Sequence, residues 1–317
     1  FWSDKEGLVP GDTNFAGDVF VRDIATNRTL RLSLGHMGVQ TARTDGNLPI
    51  SYPDIDIDDN GCLIAYSSDA MNITQQNGTA TADVNNTTDV FVVDWCTAPF
   101  PSNPLQTIHV SKNYATGQQA NGGNTNPKIS GNGQFVLFRS SANNLVVGDT
   151  NNMPDIFIMD RTVAGFPISR VNLANNESQA NMEDGTNTFS PSDNGMVVAF
   201  ASIASNLLDT ADGNGHADIF IRDRLLGTTI RINGIGGAAP NGPSFNPHIS
   251  GNGTFVAFRS NASNLVPNDT NGKDDIFVYE IGTGAIERVS ISSEGNQPTE
   301  SSDHANITDN GRFVSFY

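Results

Sequence analysis

Apolar positions along the chain fall in short bursts separated by polar stretches rich in glycine and asparagine, and the bursts recur. The clearest is an Asp followed by β-branched residues and a Phe: DVFV at 18–21 and 89–92, DIFI at 155–158 and 218–221, DIFV at 275–278. These runs do not alternate, which predicts strands buried on both faces. Three more bursts accompany each run. TLRLS, TIHVS, ISRVN, TIRIN and IERVS alternate more; NPKIS and NPHIS exemplify a short third strand; LIAY, FVLF, VVAF, FVAF and FVSF form a fourth. Between the third and fourth sits Asn-Gly, at 60–61, 132–133, 194–195, 252–253 and 310–311. That pair predicts a tight hairpin of type I′, with both central residues at positive φ.

The bursts define five segments, starting near Ser3, Ser67, Ser140, Ser202 and Ser260. Four-stranded sheets buried on both faces and repeated at this period predict an all-β fold, a β-propeller of five four-stranded blades in one domain spanning 1–317. Phe1-Trp2 and Phe316-Tyr317 occupy the same point of the repeat, so closure would complete one blade with two strands from each end. A chain opening on Phe rather than Met also reads as processed or trimmed, and the duplicated terminal position points to a piece of a longer array or to one terminus pairing with a neighbouring molecule.

Composition narrows the partners. The net charge of −17 repels phosphate backbones, so no nucleic acid is expected, and it favours a basic partner or a cation. No apolar run reaches the ~18–20 residues of a membrane span. The G-x-S-x-G, H-E-x-x-H and P-loop patterns are missing, so no catalytic residue and no organic cofactor is nominated.

The succession P-x-I-S, N-G, FVAFRS, then NLV-x-x-DTN-x-x-x-DIFV, as at 247–278, resembles the TolB-like, WD-type propeller repeat of secreted and periplasmic bacterial proteins. The resemblance covers essentially the whole chain. It implies a propeller and an extracellular, cell-surface or periplasmic location. It leaves function open, because such propellers serve binding, scaffolding and enzyme-accessory roles.

Every DIF-type strand is preceded by D-x-N-x-x-x-D: Asp12, Asn14, Asp18; Asp83, Asn85, Asp89; Asp149, Asn151, Asp155; Asp212, Asn214, Asp218; Asp269, Asn271, Asp275. Oxygens at alternate loop positions can converge on a structural Ca²⁺ ion, which takes 6–8 of them. The same residues also build Asx-turns and cap loop amides with no metal at all. An acid closes each such strand (Asp23, Asp94, Asp160, Asp223, Glu280) and a base recurs in the next (Arg31, His109, Arg170, Arg231, Arg288), which predicts cross-strand pairing of the two. In the short third strand a variable polar residue precedes Ile or its equivalent: Asp56, Lys128, Ser190, His248, Asn306. In a propeller these five would line the central channel, as solvated positions or as a ligand site.

Cys62 begins one strand and Cys96 follows its neighbour, so an oxidising compartment would allow a disulfide. N-x-[ST] glycosylation patterns occur at Asn27, Asn72, Asn77, Asn85, Asn86, Asn176, Asn252, Asn261, Asn268 and Asn306. Together these features point to a noncatalytic module that binds protein or glycan. A subunit of a head-to-tail extracellular filament is the alternative, and a glycan-acting hydrolase or lyase the third reading.

Overall fold

The computed structural model describes residues 1–13, 17–34, 54–73, 85–96, 106–182, 188–210 and 212–317; Asn14, Asn77 and Asp83 fall outside them. Among the described residues the chain is built of antiparallel sheets whose strand order follows chain order. The first sheet contains β1 (Trp2–Ser3), β2 (Asp18–Asp23) and β3 (Arg28–Arg31). The second contains β4 (Ile55–Ile57), β5 (Leu63–Ser68), β6 (Asp89–Asp94) and β7 (Gln106–His109); a small hairpin of β8 (Lys112–Asn113) and β9 (Gln118–Gln119) follows. The third contains β10 (Asn124–Ile129), β11 (Phe135–Ser140), β12 (Asp155–Asp160) and β13 (Ile168–Arg170).

The fourth sheet contains β14 (Phe189–Pro191), β15 (Val197–Ser202), β16 (Asp218–Asp223) and β17 (Thr228–Arg231). The fifth contains β18 (Ser244–Ile249), β19 (Phe255–Ser260), β20 (Asp275–Glu280) and β21 (Ile286–Arg288). A last pair, β22 (Asn306–Ile307) and β23 (Val314–Ser315), follows.

Two compact units emerge, residues 1–129, 135–150 and 158–169 in one, and 130–134, 151–157 and 170–317 in the other. In the first unit, Val19, Val21 and Leu32 of the first segment pack against Ile64, Tyr66, Phe91 and Val93 of the second. In the second unit, Ile219, Ile221 and Ile232 pack with Val256, Phe258 and Phe277. The opposite face of that fifth sheet, Ala257 and Ile276, packs on Ala305 and Ile307. Successive residues of β19 thus point into two different cores, which is why its sequence does not alternate. Aromatic pairs recur at one register position: Tyr66 faces Phe91, Phe200 faces Phe220, and Phe258 faces Phe277, with ring centroids 5.7–5.8 Å apart. Such a pair adds about 0.5–1.5 kcal/mol beyond its area.

The Asn-Gly hairpins differ from the type I′ expectation. Gly61, Gly133, Gly195, Gly253 and Gly311 have φ of 63–72°, whereas the preceding asparagines stay outside the positive-φ region. Each glycine N–H closes a turn on the carbonyl three residues back, on Asp58, Ser130, Ser192, Ser250 and Thr308. The N–H of Asp58, Ser192, Ser250 and Thr308 donates to the carbonyl five residues on, so the loop holds four residues with the positive-φ glycine third. Asparagine serves through its side chain instead: the carbonyls of Asn132, Asn194, Asn252 and Asn310 accept the N–H of Gln134, Met196, Thr254 and Arg312.

Candidate functional site

The approach loops before β2, β6, β12, β16 and β20 carry the densest polar chemistry. In the four loops whose asparagine is described, its side chain builds the loop. In Asn85, Asn151, Asn214 and Asn271 the carbonyl accepts the N–H two residues on, an Asx-turn. The amide nitrogen donates to the carboxylate of Asp89, Asp155, Asp218 or Asp275 at 2.8–3.2 Å. It also donates to a carbonyl in the loop following the sheet: Ala120, Ala180, Pro240 or Pro298.

The Asp that opens each strand is fully buried, 0% exposed in all five cases. A carboxylate there must be compensated by donors of the chain itself. The compensating base is the one in the following strand. Arg31 reaches Asp12 at 3.0 Å and Asp18 at 3.4 Å; Arg231 reaches Asp212 at 2.7 Å and Asp218 at 3.3 Å; Arg288 reaches Asp269 at 3.1 Å and Asp275 at 3.5 Å. Arg170 Nε lies 2.9 Å from Asp155, and His109 Nε2 lies 3.2 Å from Asp89. Asp149 sits half-buried in its loop.

The expected pairing with the strand-closing acids is therefore corrected. Arg31 stands opposite Phe20, so its side chain runs diagonally to the buried end of β2 and away from Asp23. The closing acids cap the next turn instead. Asp23 accepts the N–H of Ala25 and Thr26, Asp160 that of Thr162, Asp223 those of Leu225 and Leu226, and Asp94 that of Cys96. Glu280 accepts the Thr283 hydroxyl.

One partner of the buried Asp went unnoticed in the sequence, although it recurs two residues after the base. Ser33, Ser111 and Ser290 donate their hydroxyl to Asp18, Asp89 and Asp275 and accept the N–H of the next residue in the buried strand. Asn172 does both for Asp155 and Ile156. The fourth segment breaks the pattern. Asn233 accepts from Arg231 Nε at 2.8 Å, and among the described residues Asp218 Oδ1 has no donor. Burial pushes the Asp218 carboxyl up to about 7, the Asp212 carboxyl beside it pushes the same way, and Asn214 and Arg231 only partly offset them.

A divalent ion on these oxygens would lie against a guanidinium in the first, fourth and fifth loops, where one Nη1 bridges both carboxylates. That donor set does not suit Ca²⁺, which wants uncommitted oxygens on all sides.

Three of the five third-strand residues accept a backbone N–H from the next segment. Asp56 accepts the N–H of Ile129 at 2.8 Å, Ser190 that of Ile249 at 3.2 Å, and His248 Nδ1 that of Ile307 at 3.4 Å. Each polar side chain ties its sheet to the next segment's strand. Burial holds the Asp56 carboxyl above its ordinary range, offset in part by Lys128, which is half-buried. Asn306 is exposed. In the second unit the hairpin tips are joined in the same order. Asn132 N–H donates to Asp193, Asp193 N–H to Gly251, and Asn252 N–H to Asp309.

Cys62 and Cys96 are joined by a disulfide across β5 and β6, closing a separation of 34 residues. Of the glycosylation patterns, Asn27, Asn86, Asn176, Asn252, Asn261, Asn268 and Asn306 are exposed, and Asn72 is half-buried. The Asn85 amide nitrogen is bound within the loop. None of the described helices is long and apolar enough to cross a membrane.

No family model matches the chain, and no curated protein matches it by sequence. Solved structures do match. A protein of Agrobacterium tumefaciens assigned as TolB aligns at 14% identity and TM-score 0.47, over 94% of this chain and 76% of that one. TolB from Acinetobacter baumannii aligns at 15% identity and TM-score 0.43, over 94% of this chain and 53% of that one, so the chain spans about half of it. Oligogalacturonate lyase from Vibrio parahaemolyticus aligns at 10% identity and TM-score 0.49, over 94% and 68%. The chain is thus similar in structure to TolB-like proteins.

Proposed function

We propose that the chain is a noncatalytic binding platform for protein or glycan, built as one propeller of five four-stranded blades and working outside the cytoplasm. The carrying observation is that the recurrent polar constellations close on themselves. Buried carboxylates meet the chain's own arginines, hydroxyls and amides, and third-strand polar groups tie one segment to the next. Catalysis needs an acid, base or nucleophile facing a substrate. The disulfide supports an oxidising compartment, and the ordered joining of hairpin tips supports sheets following one another round an axis. The approach loops are read as closed by the chain's own base, arginine in four and His109 in the second, and independent of Ca²⁺.

The test pairs two measurements on the purified protein. Protein and glycan arrays should give saturable binding, while a polysaccharide panel shows no turnover. Turnover abolished by His248→Ala or Asp56→Asn would sink the proposal in favour of a hydrolase or lyase. Electron microscopy should show single discs, and filaments would favour the head-to-tail assembly.

A further inference from the structure

The junctions between segments can be compared position by position, because the same hydrogen bonds recur. After the third segment, Ala174 N–H donates to Ser178 and Glu177 N–H to Ala174; after the fourth, Gly234 N–H donates to Ala238 and Gly237 N–H to Gly234. Downstream, Asn206 binds the Gln179 carbonyl where Asn264 binds that of Ala239. Ala174 therefore corresponds to Gly234, Asn175 to Ile235 and Glu177 to Gly237. Between Asn233 and Gly234 the fourth segment lacks one residue, the counterpart of Leu173.

At the third-to-fourth junction the loop fills the edge of the next sheet. Asn175 accepts the N–H of Thr229 at 2.7 Å, the Leu173 carbonyl accepts the Thr229 hydroxyl, and Glu177 pairs with Arg222. At the fourth-to-fifth junction the fillers are missing. Gly237 has no side chain, Ile235 is 54% exposed, and Cβ atoms built on Gly236 and Gly237 meet nothing within 4 Å. A cavity of about 340 Å³ remains, lined by Arg231, Asn233, Tyr279, Ile286, Leu265 and Pro267 among others.

Polar side chains that can donate lie on its wall. Arg231, whose side chain is 9% exposed, commits Nε and Nη1 to Asn233, Asp212 and Asp218, and its Nη2 meets no acceptor among the described residues. The Asn233 amide nitrogen and the Tyr279 hydroxyl are likewise without a partner there. Ile286 faces Tyr279 in register as Thr229 faces Arg222. Val289 N–H bonds Ile276 and Glu280 N–H bonds Ala285, so the alternation of the ladder turns the Ile286 N–H outward, like that of Thr229. The charge on Arg231 is already matched by two carboxyls, so the wall calls for neutral oxygen acceptors rather than an anion.

We propose that this cavity binds a polypeptide segment presenting an asparagine side chain, which takes the place Asn175 holds one junction earlier. The inference rests on the binding-platform reading and gives it a site and a partner class. The volume suits one side chain with its flanking peptide groups.

The experiment titrates the protein with the acetylated, amidated peptide Ala-Asn-Asn-Glu-Ser-Gln, the sequence of 174–179, and follows amide and tyrosine resonances. Shifts should centre on Ile286 and Tyr279, with Kd on the order of 1 mM for so small a contact. Replacing residues 234–239 by the segment 173–179 should refill the cavity and weaken binding at least tenfold. Ile286→Pro removes the outward N–H on an edge strand, where proline is tolerated, and should weaken it similarly. No shift at 10 mM peptide, or binding unchanged in both variants, would overturn the assignment. N-acetylglucosamine moving the same resonances while the peptide does not would overturn it as well. A partner found on the arrays whose binding survives both variants leaves the platform standing and removes only this site.

Discussion

The fourth and fifth approach loops share their residues and differ in their closure. Asp275 receives Arg288, the Asn271 amide and the Ser290 hydroxyl, and Ser290 also accepts the Ile276 N–H. Among the described residues Asp218 receives Arg231 and Asn214 and lies beside the Asp212 carboxyl, while Asn233 binds Arg231 instead. The one-residue shortening directly after Asn233 accounts for the turn: a tighter loop carries that side chain away from the carboxylate. In the same loop, Gly237 and the exposed Ile235 leave the junction cavity unfilled. One segment thus combines a loosened charge closure with a recess, while the other four keep a Ser or Asn donor on the buried Asp. In a tandem repeat, each copy is supported by its neighbours, so one can depart from the pattern without loss of the fold.

The largest expected effect tests the intact closure. Arg288→Met leaves Asp269 and Asp275 without their cation and should destabilise by about 3–5 kcal/mol, read as a fall in the denaturant midpoint. Arg231→Met should lose less, because the Asp212–Asp218 pair can hold a proton between its carboxyls. Equal losses would break the contrast between the two loops.

Next comes pH. Asp218 titrates near about 7 in the fold against an ordinary 3.8, so across that interval the folded chain holds a proton the unfolded chain has released. Its contribution to stability is full below the unfolded value and is lost as pH rises through about 7. Between pH 5 and 8 the wild-type melting temperature should fall by a few degrees more than that of Asp218→Asn. Parallel curves would refute the shifted carboxyl.

A subtler change repairs the loop. Inserting Leu between Asn233 and Gly234 restores the spacing of the third segment and should let Asn233 donate to Asp218. The gain should be about 1 kcal/mol, with a flatter pH profile of the melt. The smallest effect is none at all. EDTA should leave the melting temperature unchanged, and a drop reversed by added Ca²⁺ would favour the metal reading of these loops.

Much of this was legible beforehand. The DIF runs announced strands covered on both sides, and β19 shows why, with Val256 and Ala257 entering different cores. Cys62 and Cys96 stood at matching strand ends, and the disulfide joins them. The base in each second strand was visible, yet its partner was misassigned. Proximity along a hairpin pointed to Asp23, whereas diagonal register and burial selected Asp18 and Asp12. The Ser or Asn two residues after the base was also in plain view. Nothing in a hydroxyl's sequence position says that a buried carboxylate lies beside it.

Sequence by itself determined where strands begin, which faces are apolar, where glycine must take positive φ, and which oxygens gather before each buried strand. Those are local matters of side-chain volume, periodicity and backbone sterics. Tertiary structure alone decided which donor meets which carboxylate, which polar residues tie neighbouring segments, and where a missing residue leaves space. Such choices depend on atoms distant in the chain meeting within a few ångströms, and a pattern of residue types carries no record of that distance.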